Sequence, residues 1–135
     1  ARVIFCLLKP GGTLYLLEGH PSLMALNEKT PNLEHGFDWR TPQNAPIVED
    51  EATTYTGDTT PVSATTTNSW IHPLSDIINA VIGSGLRLDY LHEHEELAWQ
   101  FSPIMLAKEG KRRMWVLPEG FPKLPLAFSL KATKS

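Results

Sequence analysis

Residues 8 to 21 read Leu-Lys-Pro-Gly-Gly-Thr-Leu-Tyr-Leu-Leu-Glu-Gly-His-Pro, and this run sets the fold class. The residues before it, Ala1 to Lys9, read as the end of a helix that has no capping residue and no polar lead-in, as though its start lay elsewhere. Pro10 cannot continue a helix, and Gly11 and Gly12 accept the left-handed turn that follows. Thr13 to Glu18 is then a near-continuous run of β-compatible apolar residues. That is the pattern of a central strand covered on both faces, as in a parallel sheet, although a strand in a sandwich core would look similar.

Downstream, Gly19 to Asp50 carries Pro21, Pro31, Pro42 and Pro46 and is expected to be a long loop with a short helix near Ser22 to Asn27. Two threonine-rich segments, Glu51 to Thr56 and Val62 to Ile71, flank Gly57 to Pro61 and predict an antiparallel hairpin projecting from the sheet. Leu74, Ile77, Ile78, Val81 and Ile82 recur at helical spacing, and Gly83-Ser84-Gly85 ends that helix. Leu86 to His92 alternates as a strand should, apart from Leu91. Glu93 to Pro125 has no sustained period and is expected to wrap over the sheet, anchored by Trp99, Phe101, Met114, Trp115, Leu117 and Phe121. Leu126 to Ala132 closes the chain as a last strand. Taken together, the elements make an α/β domain, one unit over residues 1 to 135 with the hairpin inserted at about 51 to 72.

Composition narrows the function classes. A chain of 135 residues holds one core. Its formal charge of -3, with basic residues scattered except at Lys111, Arg112 and Arg113, gives no positive stripe to follow a phosphate backbone. The lone Cys6 excludes an internal disulfide and a multi-thiolate zinc site, and a cytoplasmic location is expected. No apolar run is long enough to cross a bilayer, so no membrane partner is expected.

The runs LKPGGTLYLLEGHP (8 to 21), HPLSDIINAVIGSGLRLDYLHEH (72 to 94) and LPLAFSLKATK (124 to 134) together resemble the C-terminal half of class I S-adenosylmethionine-dependent methyltransferases. In that resemblance they stand for the fifth strand, the helix with the sixth strand, and the seventh strand. The implied fold is a partial Rossmann-like methyltransferase sheet of the last three strands. Its final strand runs antiparallel and is inserted between the other two. The implied function is the acceptor side of a methyltransferase, inactive alone because the cofactor-binding half has no counterpart here. The only GxG, Gly83-Ser84-Gly85, lies between a helix and a strand, the reverse of the order that a cofactor loop requires. S-adenosylmethionine is therefore the cofactor expected of the intact protein, with cofactor contacts in this chain unknown and a small molecule the favoured acceptor. The alternative is a non-catalytic interaction module, for which an exposed strand edge or the hairpin offers a homodimer surface.

Ligands of open α/β sheets gather beyond the carboxyl ends of the strands, which draws attention to Glu18 and His20. Glu18 could orient an acceptor amine or hydroxyl and His20 could take its proton; equally, both could satisfy loop backbone groups. Trp39, Tyr55, Trp70 and His72 are candidate walls of an acceptor pocket, or hairpin packing. His92 and His94 share a strand face but have no third ligand at defined spacing, so no metal site is assigned.

Overall fold

A computed structural model of the chain describes residues 1–52, 60–110 and 113–135. Its centre is β7 (Ala127–Lys134), which pairs antiparallel with β1 (Thr13–Gly19) on one side and with β4 (Leu86–His94) on the other. Every ladder among the described residues is antiparallel, so β1 and β4 point the same way only because β7 lies reversed between them. The result is a mixed α/β chain with antiparallel sheets.

One face of this sheet is packed. Phe128, Leu130 and Ala132 of β7 are completely buried, alternate residues of one strand pointing to one side. Against them lie Ile4, Phe5 and Leu8 from the first helix, α1 (Arg2–Leu7), and Leu74, Ile77 and Val81 from α3 (Leu74–Gly83). Ile82, grouped with that helical face on spacing alone, is 53% exposed, because the buried stripe centres on Ile77 and Val81. The α1 end is held where Pro10 and Gly11 stop it. Lys134 Nζ donates to the Phe5 and Leu8 carbonyls, both at 2.8 Å, where the helix leaves acceptors free and its dipole favours a cation. Gly11 takes φ +76 in the turn, and its N–H reaches the Lys134 carbonyl, tying the turn to the last strand.

The opposite face is open. Tyr15 and Leu17 of β1 are 59% and 53% exposed, and Tyr90 of β4 stacks on His92 at 4.7 Å beside them. The expectation of a central strand covered on both sides is corrected here. β1 is an edge strand with alternating burial, because its second face is covered only at the Gly19 end, by Met24 and Trp99, and is open at Tyr15 and Leu17. Strand β4 explains its own irregularity. A bulge at Asp89, between the pairs Leu88↔Ala132 and Tyr90↔Lys131, shifts the alternation so that Leu91 joins Leu86 and Leu88 on the packed side. The Asp89 carboxyl is held below its ordinary range, chiefly by the Thr133 hydroxyl and then by Arg87.

A second core fills the end of the sheet where β1 and β4 finish. Helix α2 (Pro21–Met24) contributes Leu23, and the wrapping segment contributes Leu97, Phe101, Met105 and Leu126. Trp99, Trp115 and Leu117 pack against it as expected, whereas Met114 and Phe121 are half-buried outside it. Two short strands, β5 (Leu106–Ala107) and β6 (Trp115–Val116), pair within this segment. The larger hairpin joins β2 (Ile47–Asp50) to β3 (Thr66–Ser69), and its ladder continues through Glu51 to Thr65 and Val62 to Ala52. Its first strand therefore starts four residues before the threonine-rich segment, using Ile47 and Val48, which lay in the stretch read as loop. The proposed turn at Gly57 to Thr59, with most of Glu51 to Thr56, lies outside the described residues.

The two faces should respond differently to substitution. Leu130→Ala should cost about 3 kcal/mol of stability, by cavity formation under both helices, measured by urea denaturation. Leu17→Lys should change stability by no more than about 0.5 kcal/mol and should reduce self-association in light scattering, since its side chain sits on the open face. A large loss from Leu17→Lys would mean that this face is covered.

Candidate functional site

Beyond the end of β1 the chain encloses an open cleft of about 900 Å³. Its floor comes from the sheet, through Leu16, Glu18 and Phe128, and from Trp99 and Phe101 of the wrapping segment. The hairpin and the residues after it form one wall, with Glu49, Glu51, Trp70 and His72. Facing it is the loop after α2, with Glu28, Lys29 and Phe37. A small side chain at one position allows this closure. A Cβ on Gly19 would lie 2.9 Å from Met24 Sδ and 3.2 Å from the Trp99 ring, so glycine lets both approach the strand end.

Of the residues singled out from sequence, Glu18, Trp70 and His72 meet in this cleft. His20 does not line it. The imidazole is 5% exposed and caps α2, accepting from Ser22 N–H at Nδ1 (3.1 Å), which leaves the proton on Nε2 to be donated to Glu93 Oε1 at 3.0 Å. Both ring nitrogens are thus occupied, and the side chain ties the β1 end to the β4 end. Trp39 is 63% exposed, lies under the Arg40 guanidinium at 4.9 Å, and stands apart from the cleft. Tyr55 lies outside the described residues. Trp70 is fixed by its indole N–H, which donates to the Gln43 carbonyl at 3.3 Å. His92 stacks on Tyr90, and His94 bonds Ser129 Oγ at 2.8 Å.

Sequence reading missed Glu28, Glu49, Glu51 and Phe37 as cleft residues, and took Trp99 only as a core anchor. The carboxylates feel one another. Burial pushes Glu28 above its ordinary 4.5, the negative charges of Glu51 and Glu49 push it further, and Lys29 opposes them. Gly83-Ser84-Gly85 is a helix stop, with the Ser84 hydroxyl donating to the Val81 carbonyl and Gly85 at φ +94. None of these three residues lines the cleft.

No protein-family model and no curated protein sequence matches this chain. Among solved structures, one match is the crystal structure of a "putative S-adenosylmethionine dependent methyltransferase from Listeria monocytogenes", with a TM-score of 0.52 and 14% identity. The likeness covers 99% of this chain and 52% of that one, so the chain spans about half the length of the structure it matches. At this identity the likeness shows a methyltransferase-like fold. No helix among the described residues is long and apolar enough to cross a membrane.

Two outcomes follow from the geometry. His20→Ala should destabilise the chain by about 2 kcal/mol in urea denaturation, through loss of the cap and of the bond to a carboxylate, whereas Glu93→Gln, which keeps an acceptor, should cost less. The folded chain holds the Glu28 proton more tightly than the unfolded chain does, so stability falls as pH rises from 4.5 through the raised value. Glu28→Gln removes that loss. Its melting temperature should exceed that of the unaltered chain near neutral pH, and the gain should vanish as pH falls below 4.5.

Proposed function

We propose that this chain is the acceptor-side portion of an S-adenosylmethionine-dependent methyltransferase and that it is inactive alone. The observation that carries the reading is the sheet β1-β7-β4, whose reversed last strand lies between the other two and which ends in a cleft beyond β1. The methyltransferase-like fold of the solved structure supports it, and that structure is about twice as long.

The residues present do not fit the cofactor. Among the described residues no glycine-rich turn leads from a strand into a helix, because Gly83-Ser84-Gly85 runs from α3 into β4. When bound, S-adenosylmethionine supplies an electrophilic methyl group, and on this reading it is held by a half of the protein outside this sequence. What this chain does is receive and align the acceptor. Trp70, Trp99 and Phe101 line the cleft with apolar surface that displaces water, and positioning alone removes much of a methyl-transfer barrier. Glu18, exposed at the strand end and lining the cleft, orients the acceptor's amine or hydroxyl. His20 acts as a positioning residue, since its ring bonds to Ser22 and Glu93 fix the strand end from which Glu18 projects. The favoured acceptor is a small molecule, and the compartment is the cytoplasm.

A second reading has its own observation. Among the described residues the outer edge of β1 has no partner strand, and Tyr15 and Leu17 are exposed beside it, which suits a non-catalytic module that dimerises by strand addition or through the hairpin. Calorimetric titration with S-adenosylmethionine separates the two. The chain alone should show no saturable binding at micromolar concentration, and a polypeptide extended upstream of Ala1 in the source gene should bind and turn over. Tight binding by the chain alone, or a gene that begins at Ala1, would defeat the methyltransferase-portion reading. A concentration-independent monomer in light scattering would count against the dimer module.

A further inference from the structure

The cleft's charge is of one sign. Its walls carry Glu18, Glu28, Glu49, Asp50 and Glu51 against the single cation Lys29. Several acids elsewhere in the chain are paired, Asp76 with Arg40, Asp89 with Arg87, Glu93 with His20, Glu95 with Lys123 and Glu96 with Lys108. None of the five cleft carboxylates forms an ion pair among the described residues. An anionic ligand would meet five carboxylates offset by one lysine, and the net Coulomb term disfavours it in a partly enclosed cleft.

The carboxylates also do not converge. Among the described residues no three His, Cys, Asp or Glu side chains are grouped closely enough to hold a metal ion, so the field is spread over a wide opening rather than focused on a point. In place of a tight ligand cage the cleft offers aromatic faces, Phe37, Trp70 and Trp99, within the same enclosure. Diffuse negative charge and aromatic surface together suit a large, weakly hydrated cation, whose alkyl groups pack on the rings and whose charge is drawn by both. A small hydrated metal ion gains little from either.

We infer that the cleft takes an organic cation, an alkylated amine in its ammonium form, held by the field of Glu28, Glu49 and Glu51 and by the faces of Trp70 and Trp99. This names the substrate class of the acceptor cleft and rests on the reading of that cleft as the acceptor site. An amine acceptor would enter as its ammonium ion, donating a hydrogen bond to Glu18, and would lose that proton to solvent through the open cleft before the free-base nitrogen, which alone has a lone pair, takes the methyl group. The raised Glu28 carboxyl fits the same picture: burial is the larger cause of that shift, and repulsion from Glu51 and Glu49, the smaller one, is what a bound cation would relieve.

The test uses choline and its uncharged isostere 3,3-dimethylbutan-1-ol, titrated into this chain and followed by the indole N–H resonances in nitrogen-15 correlation spectra. Choline should give saturable shifts at Trp70 and Trp99, and not at Trp39, with an affinity at least about tenfold above the isostere. The variant Glu28→Gln/Glu49→Gln should weaken choline severalfold and leave the isostere unchanged. Equal affinity of the two compounds, absence of choline binding, shifts confined to other indoles, or indifference to the double variant would each overturn the inference. S-adenosylmethionine takes no part in this titration. Its failure would therefore leave the methyltransferase reading standing, and failure of cofactor binding by the extended polypeptide would leave a positive choline result intact.

Discussion

The structure depends on one strand having two partners. β7 supplies the hydrogen-bonded ladder for both β1 and β4, and its Phe128, Leu130 and Ala132 form the ridge onto which α1 and α3 pack. No ladder joins β1 to β4, which run parallel on either side of β7 and are held in one sheet by it. The Lys134 ammonium then locks the far end of β7 to the carbonyls that close α1, so the last strand also fixes the first helix. A single layer of helices on a three-stranded sheet leaves the β1 side of the second face without cover, away from the end where the second core buries Ala127 and His94 bonds the buried Ser129. That is why Tyr15 and Leu17, apolar residues in a run that reads as doubly buried, face outward.

Much of this architecture was legible. Pro10 and Gly11 mark the end of α1 because the ring and the positive φ permit nothing else, and Gly83 to Gly85 mark the end of α3 in the same way. The order of helices and main-sheet strands follows from apolar periodicity, and the place of the last strand from the family resemblance. Leu91 was legible only as an anomaly. Its phase makes sense once the Asp89 bulge is known, and bulges leave no reliable local mark. The hairpin strand at Ile47 was hidden by the prolines around it, and β5 and β6, two residues each, are too short for any period to register.

The candidate site was less legible, because its members are joined by distant pairing. Glu18 could be found from its place at a strand end. That His20 could satisfy a loop backbone group was also readable there, and its bond from Ser22 N–H is that; its bond to Glu93 could not be foreseen, since Glu93 lies 73 residues away and reaches it only through the register of two strands on β7. Glu28 carries no signal of its own. Its environment is set by Glu49 and Glu51 on the hairpin, and proximity across a loop is a tertiary fact. Trp99 shows the opposite error of emphasis. A tryptophan in an irregular segment reads as a core anchor, and it is one, while its ring, close to Gly19, also lines the cleft.

On this account the open face and outer edge of β1 are the surfaces on which the remainder of the protein packs. Amide hydrogen exchange along Thr13–Gly19 tests that most directly, comparing this chain with a polypeptide extended upstream of Ala1 in the source gene. In the chain alone the amides directed at β7 should be protected while the alternate, outward ones exchange fast, and in the extended polypeptide both sets should be protected. Unchanged fast exchange of the outward amides in the extended polypeptide would contradict it.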